Sequence, residues 1–244
     1  MIRFRLGMIL LFLGLSAHAV CAETTETPKI SDTAELSYVD TGGNSELRSL
    51  MVNNLLKYPV SDRAGIDWKL HALYGETAGV KSAERYLTEL RGTYQVSDRL
   101  YSLALGSWTK DTFAGFDARY FLGAGLGYKI ITTMPHLLQA EAGLNYTIEE
   151  RTDGTSKTYP GGRLFAQYEY HFNDKNKFIQ SVEYLPDFED SENYNINSET
   201  ALISAISTFM SMKGSYVIRY DHEPAAGTKE TDTILGITLV MNLI

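Results

Sequence analysis

Apolar and polar residues alternate with a period of two along most of this chain, a pattern that predicts β-strands. The clearest stretch runs from Phe116 to Ile130. Its even-numbered positions read Phe, Ala, Tyr, Leu, Ala, Leu, Tyr and Ile, whereas its odd-numbered positions read Asp, Arg, Phe, Gly, Gly, Gly and Lys. One face of this strand is therefore apolar with aromatic ends, and the other face is charged and rich in glycine.

The same alternation predicts twelve strands, over residues 33–40, 45–58, 63–76, 83–96, 99–110, 116–131, 137–149, 160–172, 176–187, 194–207, 210–222 and 229–243. The connections between these strands alternate between two sets. One set is short, and the other is mostly longer and more polar, its longer members being 77–82, 111–115, 150–159, 188–193 and 223–228. Short turns at one end and longer loops at the other are typical of outer-membrane barrels. The alternation is poor within 45–58 and 194–207, where a bulge or a register error of one residue would explain it.

The aromatic residues indicate which face meets lipid. A soluble sandwich also alternates, but its aromatic residues lie in the middle of the apolar face. Here they lie near the ends, and Tyr and Trp rings favour the headgroup level of a membrane. The candidate interfacial aromatic residues are Trp68, Tyr74, Phe116, Tyr128, Tyr146 and Phe172.

A sheet in lipid has to close, because each unpaired backbone amide there costs several kcal/mol. The predicted fold is therefore all-β: a closed antiparallel transmembrane β-barrel of about 12 strands, with short periplasmic turns and longer outer loops. The apolar face would contact lipid, and the charged, glycine-rich face would line the interior.

The beginning of the chain predicts export. Residues 1–22 carry Arg3 and Arg5 before an apolar run that is too short to span a membrane, followed by small residues suited to cleavage. We expect cleavage after Ala22, a polar N-terminal tail over 23–32 and a barrel over 33–244. A lipid anchor on Cys21 is the alternative.

After cleavage, 20 basic residues stand against 30 acidic ones, a net charge of −10. A nucleic-acid partner would require a basic face, so this balance argues against one. Since Cys21 is the only cysteine, the mature chain would have no disulfide framework.

The predicted inner face carries charges of both signs. The candidate lumen-lining residues are Glu89, Arg91, Asp117, Arg119, Lys129, Glu141, Arg163 and Glu169. We expect Glu89, Arg91, Asp117 and Arg119 to form one network on neighbouring strands. Either these charges pair and fill the barrel, or they line a narrow pore and select solutes.

No motif in the sequence indicates catalysis or a metal centre. The five histidines lack metal-ligand spacing, and no nucleophile–base pair emerges on one face. The acidic loop from Asp187 to Glu192 lacks the glycine turn and ligand spacing of a calcium loop. We therefore predict no catalytic residue, no metal and no cofactor, and interpret the acidic loop as solvated, with Ca²⁺ or lipopolysaccharide binding as the alternative.

Several segments together resemble a known family. DTFAGFDARYFLGAGLGYKI at 111–130, DTGGNSE at 40–46, YLPDFEDSENY at 184–194 and TDTILGITL at 231–239 are similar to the YdiY-like salt-induced outer-membrane family, whose function is undetermined. The resemblance implies a Gram-negative outer-membrane barrel with a link to salt stress. It implies no reaction and no ligand.

Three classes of function remain open at this point. The first is a non-enzymatic barrel of the envelope with a role in salt or osmotic adaptation, the second is a narrow channel for ions or small polar solutes, and the third is a barrel enzyme. The expected partners are outer-membrane lipid, lipopolysaccharide and the barrel-insertion machinery. The oligomeric state stays open.

Overall fold

The computed structural model describes residues 29–42, 46–225 and 227–243. The predicted signal peptide and most of the predicted tail lie outside these residues. The strands are β1 (Ser31–Thr41), β2 (Leu47–Pro59), β3 (Ala64–Thr77), β4 (Val80–Gln95), β5 (Leu100–Asp111), β6 (Phe116–Ile131), β7 (His136–Arg151), β8 (Ser156–His171), β9 (Asn176–Pro186), β10 (Tyr194–Ala205), β11 (Met210–Asp221) and β12 (Thr231–Asn242).

Each strand pairs antiparallel with its sequence neighbours, and β1 also pairs with β12. The sheet therefore closes into a barrel, which confirms the predicted fold class and strand number. Within the described residues, no helix is long and apolar enough to cross a membrane.

The connections differ between the two ends of the barrel. One end has the uniform turns 60–63, 96–99, 132–135, 172–175 and 206–209. The other has 42–46, 78–79, 112–115, 152–155, 187–193 and 222–230, so its two longest members are loops as predicted. The loops predicted at 77–82 and 150–159 are wrong in extent, because polar residues there continue the strand pairing up to tight hairpins. The first hairpin turns through Ala78 and Gly79, both at positive φ (51° and 73°).

The two segments with poor alternation are regular strands. β2 and β10 pair with both neighbours without a register shift, so neither a bulge nor a register error explains their sequence. Asn53 points inward and Asn54 outward, where its side-chain amide donates to Asp32 (2.6 Å). Hydrogen bonds to neighbouring strands thus satisfy polar groups that break the apolar pattern.

The outer face of the barrel carries an exposed apolar band. Leu122 and Leu144 are 69% and 68% exposed. Tyrosines on one strand, such as Tyr86 and Tyr94 or Tyr120 and Tyr128, bracket this band. Eight residues of strand span about 26 Å, or roughly 20 Å along the barrel axis at the usual tilt, so these tyrosines lie just inside the two edges of an apolar band about 25 Å tall.

The inner face has an apolar cluster that the sequence analysis did not anticipate. Tyr101, Leu103 and Leu105 on β5 are buried and pack with Phe121. Glycines on β6 and β7 make room for them: a Cβ on Gly127 would come within 2.1 Å of the Tyr101 ring. The core of the molecule therefore lies inside the barrel, packed against strands β5, β6 and β7.

Candidate functional site

A cluster of ion pairs, here called the mid-barrel cluster, crosses the interior from β4 to β9. Glu141 accepts hydrogen bonds from Arg91 (2.5 and 3.1 Å), from Arg163 (2.7 Å) and from the Tyr101 hydroxyl (2.7 Å). Arg163 also bonds Glu183 (2.7 Å). The Glu141 side chain is only 1% exposed. Because β4 and β7 are not neighbours, the Arg91–Glu141 pair can only run through the lumen.

A second group, the outer cluster, lies nearer the end with the long loops. Arg119 on β6 contacts Glu149 (2.9 Å) and reaches Asp221 on β11 (3.6 Å). Tyr159 donates its hydroxyl to Glu149 (2.8 Å), and the Arg119 guanidinium stacks on Phe116 at 3.7 Å. Since β6 and β11 lie on nearly opposite sides of the barrel, this cluster also spans the interior.

Two further ionic contacts connect more distant parts of the chain. Lys213 on β11 binds Glu199 (2.8 Å) and Glu35 on β1 (3.4 Å). Lys157 on β8 lies 3.5 Å from each of three loop carboxylates, those of Asp187, Asp190 and Glu223. Lys213 thus connects β11 to β1, with which β11 has no backbone pairing, and Lys157 draws together carboxylates from two different loops.

The predicted four-residue network does not form. Strand β5 separates β4 from β6, and the arginines have other partners. Arg91 binds Glu141 across the lumen, whereas Arg119 binds its register partner Glu149 on the adjacent β7 and also reaches Asp221 across the lumen. Glu89 lies on the inner face of β4 and has no ion pair among the described residues. The predicted network therefore fails because β4 and β6 are not adjacent, whereas the adjacent strands β6 and β7 do pair Arg119 with Glu149.

Two predicted orientations are wrong for a single reason, a register shift between Phe116 and Ala118. Phe116 pairs with Arg151 and is 4% exposed beneath Arg119, so it points inward rather than toward lipid. Asp117 is the extra residue of the bulge and is exposed, so it does not line the lumen. A bulge changes which face a side chain occupies, and the alternation of residue types conceals it.

The other predicted residues lie on the expected faces. Lys129 donates to Gln95 (3.0 Å), and Glu169 binds Lys177 (3.3 Å) and lies 3.4 Å from His171. The remaining candidate aromatic residues project outward, namely Trp68, Tyr74, Tyr128, Tyr146 and Phe172.

The sequence did not predict two inner tyrosines whose hydroxyls donate hydrogen bonds to the carboxylates of the two clusters. Tyr101 and Tyr159 occupy odd positions, in phase with the inward charges of their strands, and they donate to Glu141 and Glu149. The sequence pattern assigned tyrosines to the membrane-facing side, but the odd positions of these two residues already indicated the inner face.

The acidic loop is anchored at its two ends and exposed between them, since Asp187 and Asn193 are buried whereas Glu189 and Glu192 are exposed. The Asp187 side chain is fully buried; it accepts from the Asn193 side chain (2.8 Å) and from the Glu189 backbone amide (2.8 Å). Burial alone would raise the pKa of Asp187, but these hydrogen bonds and the charge of Lys157 outweigh it and hold the pKa below its usual value. In the described part of the chain, no group of three or more His, Cys, Asp or Glu side chains could hold a metal ion.

The chain belongs to the DUF481 family, described as proteins of unknown function, which it matches over residues 34–243. It is 27% identical over 195 residues to an uncharacterized Escherichia coli (strain K12) protein, YdiY, with 79% of this chain and 75% of that protein covered. This agrees with the resemblance seen in the sequence.

Among solved structures, the barrel is similar to the NanC porin, with a TM-score of 0.56 and 9% identity over 88% of this chain and 100% of that one. It is also similar to the COG4313 outer membrane channel from Pseudomonas putida F1, with a TM-score of 0.53 and 8% identity over 88% and 94% of the two chains. At these identities the likeness shows a shared fold.

Proposed function

We propose that this protein is a non-enzymatic outer-membrane barrel of the bacterial envelope, with a role in salt or osmotic adaptation, whose lumen is held closed by ion pairs. The observation that carries the proposal is the mid-barrel cluster. Glu141 is buried between Arg91 and Arg163, and those side chains reach it from different walls of the barrel. A lumen crossed in this way resists the passage of solutes.

The outer face supports the membrane location. Leu122 and Leu144 lie at the middle of an exposed apolar band, and tyrosines project near both of its edges, as they do in outer-membrane barrels. The partners of this face would be outer-membrane lipid and lipopolysaccharide, and delivery to the membrane would require the barrel-insertion machinery.

An arginine scan along one strand tests the location. Leu144→Arg should destabilise the inserted barrel by roughly 2–4 kcal/mol, whereas an arginine near the interface costs only about 0–1 kcal/mol. Glu150→Arg, on the same face of β7 but beyond Tyr146, is the matched control. The measurement is the amount of folded, heat-modifiable protein in outer-membrane fractions. Equal amounts for both variants would rule out a membrane at this depth.

A narrow channel is the second candidate function, and the charged interior of a porin-like fold favours it. Planar-bilayer conductance of the refolded protein separates the two. A closed barrel gives conductance near the baseline, and Glu141→Gln raises it, because Arg91 and Arg163 lose their common partner. A channel conducts without any substitution, and Glu141→Gln shifts its selectivity toward anions.

Glu150→Gln is the control for this measurement, since it removes the same charge from the outer face of the same strand. If the unsubstituted protein and Glu141→Gln were equally silent and equally stable, the cluster would not close the lumen.

A further inference from the structure

One lumenal arginine has no ionic partner among the described residues. Arg219 projects inward from β11, where it is paired in register with Asn197 and Asp232. Unlike Arg91, Arg119 and Arg163, its guanidinium makes no hydrogen bond and no ion pair with any described residue. A guanidinium carries five N–H donors in a fixed fork suited to oxyanions, so these donors point into the lumen unused.

A second arginine approaches the same place from the opposite wall. Side chains cross the lumen at this level, since Arg119 on β6 reaches Asp221, the next inward residue after Arg219 on β11 (3.6 Å). Arg119 also stacks on Phe116, which pairs in register with Asp111, the ionic partner of Arg85 on β4. Arg85 donates one bond to Asp111 (2.8 Å), while its Nε is buried without a hydrogen-bond partner. Two like charges that face each other in a confined lumen repel, and an anion between them would remove that repulsion.

The nearby carboxylates do not supply this anion. Asp111 is bound to Arg85, and Glu199 is bound to Lys213 (2.8 Å). Asp232 is exposed and lies beyond ion-pair distance of Arg219. The charge of Arg219 is therefore left without a direct partner on the described chain.

A histidine at this place offers an acceptor. His71 lies diagonally beside Arg85 on the inner face, because Leu73, the next inward residue of β3, pairs in register with Arg85 on β4. Asn53 donates its amide to Glu35 (2.9 Å), which turns its oxygen toward His71 Nδ1 (2.5 Å). Nδ1 therefore carries the proton, and Nε2 presents a lone pair, which is buried and has no hydrogen-bond partner. Lys69, also on the inner face of β3, adds a further positive charge nearby.

We propose that Arg219, Arg85 and His71 form a binding site for a small oxyanion that carries a hydroxyl group, such as hydrogen phosphate. The two guanidinium groups donate to the charged oxygens, and His71 Nε2 accepts the hydroxyl proton as a hydrogen bond. Binding involves no bond making or breaking. The site goes beyond the proposed envelope role and does not depend on whether the barrel conducts.

Calorimetric titration of the refolded protein with inorganic phosphate at neutral pH tests the site. We expect saturable binding, an affinity at least about tenfold lower for Arg219→Ala, and an intermediate affinity for Arg219→Lys. Lys57→Ala is the matched control, because it removes a cation from the inner face of β2 at the far end of the barrel, and it should stay within about twofold. Absence of saturable binding, or an unchanged affinity in Arg219→Ala, would overturn the proposal.

Sulfate tests the role of His71, since it has the shape of phosphate but no proton at neutral pH. We expect it to bind at least about fivefold more weakly, and equal binding would refute the hydrogen bond to Nε2. The ¹⁵N resonance of His71 Nε2 should shift with phosphate in the unsubstituted protein and stay fixed in Arg219→Ala. Lipopolysaccharide added in vesicles should not displace phosphate from a lumenal site; displacement would place the anion on the membrane surface instead.

Discussion

The two sides of this barrel are built differently. On one side, β7 pairs with β8 continuously from His136↔Tyr170 to Glu150↔Ser156. On the other, the described ladder between β12 and β1 covers Thr33–Leu36 and Leu239–Asn242, with one further backbone bond from Leu243 to Asp32 (2.7 Å). We call the first region, β5 to β8, the wall, and the second region, the β12–β1 junction, the seam.

The difference continues into the side chains. The wall has inner glycines that let neighbouring strands approach, an apolar cluster, and the buried carboxylate of Glu141. Toward the outer end of the seam, Ser37–Asp40 and Thr231–Thr238 have no ladder partner across the junction among the described residues, and Leu235 next to it is 82% exposed. At the seam, Lys213 on β11 reaches across β12 to Glu35, so this ion pair connects β11 to β1.

This contrast indicates that closure of the sheet and stability of the barrel have different sources. The wall holds most of the packing and ionic contacts, whereas the seam closes the cylinder with few backbone bonds. Regions with few such contacts open first in native proteins, so the barrel should open at the seam.

The largest difference between the regions should come from removing one cation on each side. Arg163→Met leaves Glu141 and Glu183 buried without their shared partner, and we expect a loss of roughly 3–5 kcal/mol. Lys213→Met leaves Glu199, which is 37% exposed, and Glu35, which keeps its hydrogen bond from Asn53, so it should cost only about 1 kcal/mol. The measurement is the free energy of unfolding in urea with lipid vesicles. Equal costs would abolish the distinction between wall and seam.

Alanine at one glycine in each region should give the next largest effect. At Gly125, a Cβ would lie 2.5 Å from the Ala142 carbonyl oxygen and 2.8 Å from Gly143 Cα, so the backbone must move. We expect a cost of about 2–3 kcal/mol. Gly236 on β12 has nothing within 4 Å, and alanine there should be neutral or slightly stabilising. Heat-modifiability on gels ranks the two variants.

A threonine-to-valine pair should give effects of opposite sign. Thr238 beside the seam is 1% exposed, and its Oγ1 is buried with no hydrogen-bond partner among the described residues. Thr238→Val removes this unsatisfied hydroxyl and should stabilise by about 1 kcal/mol. Thr147 in the wall accepts a bond from Asn145 (3.1 Å), so Thr147→Val should destabilise by about 1 kcal/mol. Urea midpoints that shift in the same direction for both variants would contradict the assigned difference in hydrogen bonding between the two hydroxyls.

The smallest effect should come from a change of pH, which acts on Asp187 in the loop that follows β9. Because the pKa of Asp187 is below its usual value, its charged form stabilises the fold at pH values above about 4, the pKa of an unfolded aspartate. This stabilisation is lost as the pH falls through the lower folded pKa. The stability gap between the unsubstituted protein and Asp187→Asn should be constant from pH 5 to 7 and shrink below pH 4. Glu192→Gln, in the same loop, controls for loss of one charge.

Alternation along the chain was sufficient to predict the class of fold, the strand number and the orientation of most side chains. This works because a strand has a period of two and a membrane requires a closed sheet with an apolar outer face. Leu122, Leu144 and Tyr128 project outward for that reason, and Arg91 and Glu141 inward. These preferences are local, so they are readable from residues that are close in sequence.

Pairing inside the lumen is not local, and only the tertiary structure decides it. Arg119 meets Asp221, and Arg91 meets Glu141, because the curvature of the closed sheet brings distant strands within reach of long side chains. The bulge that turns Phe116 inward likewise depends on the register of two strands rather than on residue type. A pattern of period two specifies the face of a side chain, but its partner depends on strand order, register and barrel diameter together, and these are properties of the closed sheet.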